Sequence, residues 1–188
     1  MAPARDKTRT AKGRLLEEGA RSYLDAVTAL IEFQKEVQKA SRLIIERNIE
    51  EYSTALKIRL KAKELREFAW PELAEWDGTY WSLGTEIIRR NVIPSVRWWQ
   101  TTCGFGIEDS GLACWVAEWF PTRRHATALH QKFDGFNPKV QLDGYGVWIH
   151  HDVRIEEAAT FEEPLGALFE EWIRLWTKVG GMKEAFKG

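Results

Sequence analysis

From Ala20 to Trp70 the chain has neither glycine nor proline, so no backbone breaker interrupts a helix there. Cysteine is nearly as scarce. Cys103 and Cys114 are the only two, too few for a disulfide framework, and they read as small buried hydrophobes kept as thiols in a reducing compartment. No apolar run approaches the ~18–20 residues that span a bilayer, and the opening segment MAPARDKTRTAKGR lacks the apolar stretch of a signal peptide. The expectation is a cytoplasmic protein without a membrane span. An excess of one charge is missing too: 27 basic residues stand against 28 acidic ones, a net charge of −1, which argues against wholesale coating of nucleic acid or an anionic membrane.

The signatures of phosphate handling are absent as well. There is no Gly-x4-Gly-Lys-Ser/Thr loop, no Gly-x-Gly-x-x-Gly fingerprint, and no Asp or Glu two residues before a Lys, which sets aside the nucleotide chemistry those patterns serve. Cys103 and Cys114 stand too far apart for a zinc knuckle, and His125 and His130 would point about 140° away from each other on a helix. Neither a metal nor a cofactor is expected.

What is present divides the chain near residue 70. All ten tryptophans fall at or beyond Trp70, and all four histidines and both cysteines lie further on. Residues 1–70 carry a net charge of +4 and residues 71–188 one of −5, as expected of two parts built for different surroundings. The reading is a disordered basic arm over residues 1–13, a long helical segment over 14–69 and a Trp-rich α+β domain over 70–188.

The helical segment is dense in Ala, Leu, Glu, Lys, Arg and Gln, all strong helix formers. Leu16, Ala20, Tyr23, Val27, Leu30 and Val37 follow 3–4 spacing, and a second stripe runs through Ile45, Ile49, Tyr52, Leu56 and Leu60. Gln34, Gln38 and Ser41 make the seam polar between them. A single helix from Ala20 to Trp70 would be roughly 76 Å long, against a radius of gyration of about 16 Å for a compact chain of this length. The segment is therefore expected to fold back as a hairpin, near Ser41 to Asn48, or to pair with another chain as a coiled coil.

The second part predicts a small antiparallel sheet of about three strands packed with helices, giving an α+β fold class. Thr79 to Arg90 reads as a short helix, or a turn leading into one, stopped before Pro94. Val96 to Ile107 and Leu112 to Phe120 read as strands, with Asp109 and Ser110 as the loop, so that Ile107 faces Leu112, Phe105 faces Cys114 and Cys103 faces Val116. That register places Trp98, Trp115 and Trp119 on the opposite face among Gly104, Gly106, Ala113 and Ala117. Arg123 to Phe133 reads as a helix, and Tyr145, Val147 and Ile149 as a third strand. Leu165, Leu168, Phe169, Trp172, Ile173, Trp176 and Val179 form an amphipathic stripe, with a capping box at Thr160 and Glu163 and a stop at Gly180.

Several groups invite a chemical reading. His150 and His151, at the end of a strand, would face opposite sides of the sheet, and either could pair with Cys103 or Cys114 as a Cys-His nucleophile. Trp98, Trp115 and Trp119 form an aromatic platform of the kind that stacks bases, sugars or partner side chains. Lys57, Arg59, Lys61, Lys63 and Arg66 form a basic helix end able to touch phosphates. With no complete catalytic motif, these features point first to a non-enzymatic assembly or adaptor protein. Its helical segment would oligomerise or dock against a protein partner, and its α+β domain would present a recognition surface. A nucleic-acid-associated protein using the basic arm and basic helix end is the alternative, and a small Cys/His hydrolase or transferase the third.

Overall fold

The computed structural model describes residues 4–70, 81–108, 111–154 and 160–187. By contact density the chain parts into two compact units, Met1–Glu36 and Val37–Gly188. The first unit is helical. Its backbone belongs to α1, Ala4–Leu56, so a helix is assigned from Ala4, where the sequence suggests an unstructured arm. The apolar residues Leu15, Leu16, Tyr23, Leu24 and Ile31 are exposed on it.

The second unit begins with the rest of α1, which is continuous through Ser41 and Asn48. The expected hairpin does not form. Polar residues in the middle of the stripe serve the sheet instead: Ser41 Oγ lies 2.9 Å from Thr85 Oγ1, and Gln38 Nε2 donates to the Phe68 carbonyl. The helix stops at Leu56, well before Trp70. Lys57 adopts a left-handed φ of 56°, the amides of Lys57 and Ile58 close back on the Thr54 and Ser53 carbonyls, and the Leu60 amide is held by Ser53 Oγ. A short 3-10 turn, Ala62–Glu64, then leads into a strand.

Among the described residues the sheet has six strands rather than about three: β1 Leu65–Trp70, β2 Trp81–Ile93, β3 Val96–Glu108, β4 Gly111–Trp119, β5 Gln141–Asp143 and β6 Gly146–Asp152. Their spatial order is β1-β2-β3-β4-β6-β5 and every pairing is antiparallel. Most of the segment from Thr79 to Arg90 is thus strand and not helix. Its residues alternate, with Leu83, Thr85 and Ile87 buried on one side and Ser82, Gly84 and Glu86 on the other, and this period of two fits a sheet covered on one face. Residues 79 and 80 lie outside the described residues. The β3–β4 register is the expected one, with Cys103 opposite Val116, Phe105 opposite Cys114 and Ile107 opposite Leu112. Asp109 and Ser110 are also outside the described residues.

Helices α2, Arg123–Asp134, and α3, Glu162–Val179, cover one face together with residues 37–56 of α1. Phe133 packs edge-on against Trp172 and Trp176, and Tyr52 against Phe169. Gly180 ends α3 in a left-handed conformation, as expected, and the short helix α4, Met182–Ala185, follows. The start of α3 differs from expectation: Phe161 occupies the N-cap with no side-chain cap, so Thr160 and Glu163 make no capping box there.

Candidate ligand-binding site

The two sheet faces hold different chemistry. On the helix-covered face Glu118 is fully buried. Its Oε1 accepts hydrogen bonds from Trp172 Nε1 at 2.9 Å and Trp176 Nε1 at 3.0 Å, and from the Tyr52 hydroxyl. Its Oε2 accepts from Thr101 Oγ1 at 2.9 Å and from Trp99 Nε1. Burial pushes the Glu118 carboxyl up to about 7, against the donors, which pull it down. Both protonation states fit the site. The Tyr52 and Thr101 hydroxyls stand 2.8 Å apart with either able to donate, so Thr101 can turn to accept a proton from Oε2 while Tyr52 continues to donate. Tyr52 itself is held well above the usual tyrosine range by burial and by the neighbouring carboxylate. The result is a structural clip joining α1, α3, β3 and β4.

The proposed Cys-His pair falls largely on this same face. Cys103 and Cys114 are both buried free thiols. Burial pushes Cys103 far up, and Cys114 to about 11, so neither is a thiolate near neutrality. His151 stands opposite Cys114 in register, yet its imidazole makes no hydrogen bond to the Cys114 thiol among the described residues. Its Nε2 instead lies 3.9 Å from Glu171 Oε2. His150 points to the other face, where it stacks on Trp148 with ring centroids 5.0 Å apart.

The second face is organised in cross-strand rows set by the register. One row runs Phe68, Gly84, Gly104, Trp115 and His150; the next runs Arg66, Glu86, Thr102, Ala117, Trp148 and Gln141; a third runs Ile88, Gln100, Trp119, Gly146 and Asp143. Glycine is required in the first row. A Cβ at Gly84 or Gly104 would fall 2.0 Å from a carbonyl oxygen of the facing strand, and across this bare stretch the rings of Phe68 and Trp115 meet, their centroids 5.9 Å apart. In the third row Trp119 lies over Gly146, where a Cβ would come 2.6 Å from the ring, and its Nε1 donates to Thr102 Oγ1 at 2.9 Å.

Small residues in the middle and aromatics around them leave a cavity of about 800 Å³. Ser82, Thr102 and Ala117 are buried in its lining, while Phe68, Trp115, Trp119 and Trp148 stand partly exposed around it. The polar side chains at its edge are Glu86, Gln100 and Asp143, with Gln100 Nε2 donating to Glu86 Oε2 at 2.6 Å. Trp115 Nε1 and His150 Nδ1 are buried and lack a hydrogen-bond partner among the described residues.

Of the residues singled out from sequence, Trp115 and Trp119 line this cavity; Trp98, opposite Arg90 on the same face, does not. Phe68, Trp148, Glu86 and Asp143 join them without any local signal. Lys57, Arg59, Lys61 and Lys63 are exposed but lie on the connector after α1, and exposed Arg66 lies on β1. They do not form a helix end, because the left-handed Lys57 has already terminated the helix. His125 Nδ1 is within 2.7 Å of Thr122 Oγ1, and His130 Nε2 within 3.2 Å of the Val140 carbonyl. Among the described residues no group of three or more His, Cys, Asp or Glu side chains is arranged to hold a metal, and no helix is long and apolar enough to cross a membrane. No known family model matches the chain, and neither does a curated protein or a solved structure.

Proposed function

We propose that the protein is a non-enzymatic recognition protein, in which the second face of the sheet binds a small ligand in its Trp-lined cavity. The observation that carries this reading is the row pattern itself, a floor of Ser82, Thr102 and Ala117 ringed by Phe68, Trp115, Trp119 and Trp148. Its volume falls in the ~300–1,000 Å³ range of small-molecule sites. Aromatic walls with a few fixed polar groups are the usual composition of such sites. Buried thiols held in the protonated state favour binding over nucleophilic chemistry. Ligand-observed NMR with a set of aromatic, amine and sugar fragments tests the reading. Hits on the native chain should be lost in Trp148→Ala. A set with no hits, or hits indifferent to Trp148, removes it.

The helical unit favours an assembly role beside this one. Leu16, Tyr23 and Leu30 recur every seven residues, with Ala20 and Val27 between them, which is the spacing of a left-handed coiled-coil seam. Leu16 and Tyr23 are 66% and 69% exposed. Light scattering on the full chain should give an oligomer that Leu16→Glu with Tyr23→Glu converts to monomer; a monomeric native chain rejects the assembly role.

A further inference from the structure

Granted that the cavity is a binding site, we infer that its ligand is an organic cation, held by an alkylated ammonium group against the tryptophan walls. Two observations point the same way. The first is the sign of the charge. Among the described residues the lining contains two carboxylates, Glu86 and Asp143, and no Lys, Arg or His. Glu86 is anchored by Gln100, a neutral donor that fixes its orientation without cancelling its charge. Among the described residues two arginines share this sheet face: Arg66 stands opposite Glu86 in register, and Arg90 opposite Trp98. Neither lines the cavity, and no ion pair joins Arg66 to Glu86 among the described residues.

The second observation is the nature of the walls. Four aromatic rings line one cavity, and the face of each ring carries negative electrostatic potential. Such faces attract a cation, most strongly when it is partly desolvated and when the ring is tryptophan. An anion in the same place would meet two carboxylates of its own sign. A neutral planar ligand would gain stacking but leave the two carboxylates uncompensated. An alkylated ammonium matches both features, since its methyl or methylene groups contact the rings while its diffuse charge needs no hydrogen-bond acceptor from the floor. Trp115 Nε1, buried and without a partner among the described residues, adds a detail: a ligand carrying a hydrogen-bond acceptor beside the cationic head would satisfy that donor. The cavity leaves room for a substituent beyond the head itself.

The test is calorimetric titration of the full chain with choline, as a quaternary ammonium probe, and with its neutral carbon isostere, in which a quaternary carbon replaces the nitrogen. Choline is expected to bind at least ~10-fold more tightly than the isostere. Glu86→Gln, which keeps the side-chain volume, should weaken choline by about 5–10-fold while leaving the isostere unchanged. Trp148→Phe, chosen because it retains a ring and folding, should weaken choline more than the isostere, since tryptophan is the stronger cation-binding face. Equal binding of the two probes, or preference for the isostere, overturns the cation inference while the cavity remains a binding site. Saturable binding of an organic carboxylate of the same size in place of choline overturns it as well. No binding of choline, isostere or carboxylate overturns both the inference and the binding reading beneath it.

Discussion

On the helix-covered face of the sheet Glu118 receives five hydrogen-bond donors from three elements, α1, β3 and α3, whereas on the opposite face Trp115 keeps its buried indole nitrogen with no partner among the described residues. Both faces are rich in tryptophan. On the covered face the indoles of Trp99, Trp172 and Trp176 are fully buried and each donates to one carboxylate. On the other, Trp115, Trp119 and Trp148 are only partly buried and line the cavity. Abundance of an aromatic residue therefore says little about its role. What separates structure from recognition here is whether the ring's volume and its N–H are both used up within the chain.

Removing the acceptor at the centre of the covered face is the largest perturbation this contrast predicts. Glu118→Ala leaves three indole N–H groups and two hydroxyls without their partner and opens a cavity, at a cost of about 4 kcal/mol or more in urea unfolding. A loss below ~1 kcal/mol would mean that the clip contributes little.

The pH dependence comes next in size. Because the folded-state value of Glu118 is raised from the ordinary 4.5 to about 7, the folded chain holds this proton more tightly than the unfolded one. Its contribution is fully present below about pH 4.5 and is lost as the pH rises through about 7. The native chain should accordingly be more stable at pH 5 than at pH 8, by up to ~3 kcal/mol, and Glu118→Gln should flatten that slope. A slope unchanged in the variant assigns the titration elsewhere.

Paired tryptophan substitutions sharpen the contrast directly. Trp172→Phe removes a buried donor and leaves a gap, costing about 1–3 kcal/mol, whereas Trp148→Phe on the cavity wall should cost less than ~1 kcal/mol. Equal costs would make the second face ordinary core. The smallest effect is expected in the helical unit, where Leu24→Lys at an exposed site should shift the unfolding of residues 37–188 by no more than ~0.5 kcal/mol.

How much of this was legible depended on whether the signal was local. The register of β3 and β4 could be read because only one pairing puts Cys103, Phe105 and Ile107 with Leu112, Cys114 and Val116 on a single face. The stripe of α3 was equally plain. The end of α1 was not, because its terminator is Lys57 in a left-handed conformation, where the usual sign is glycine. Leu65–Trp70 is built from Leu, Arg, Glu, Phe, Ala and Trp, four of the six strong helix formers, and becomes a strand through its six-residue pairing with β2. Glu118 drew no notice among many carboxylates. Its alternation with Cys114, Val116 and Phe120 was the available signal that it points inward.

The sequence by itself determined the α+β composition, the long helix at the N-terminus, the alternation that gives the sheet two unlike faces and the side on which each tryptophan of β3 and β4 lies. These follow from periodicities of 3.6 and 2, which act over a few residues. The tertiary structure decided the number and order of strands, and with them the cavity. Phe68, Glu86, Thr102 and Trp148 belong to β1, β2, β3 and β6, and only the order β1-β2-β3-β4-β6-β5 sets them around one floor. Pairing between distant strands depends on how all the faces pack together, and no short stretch of chain encodes that.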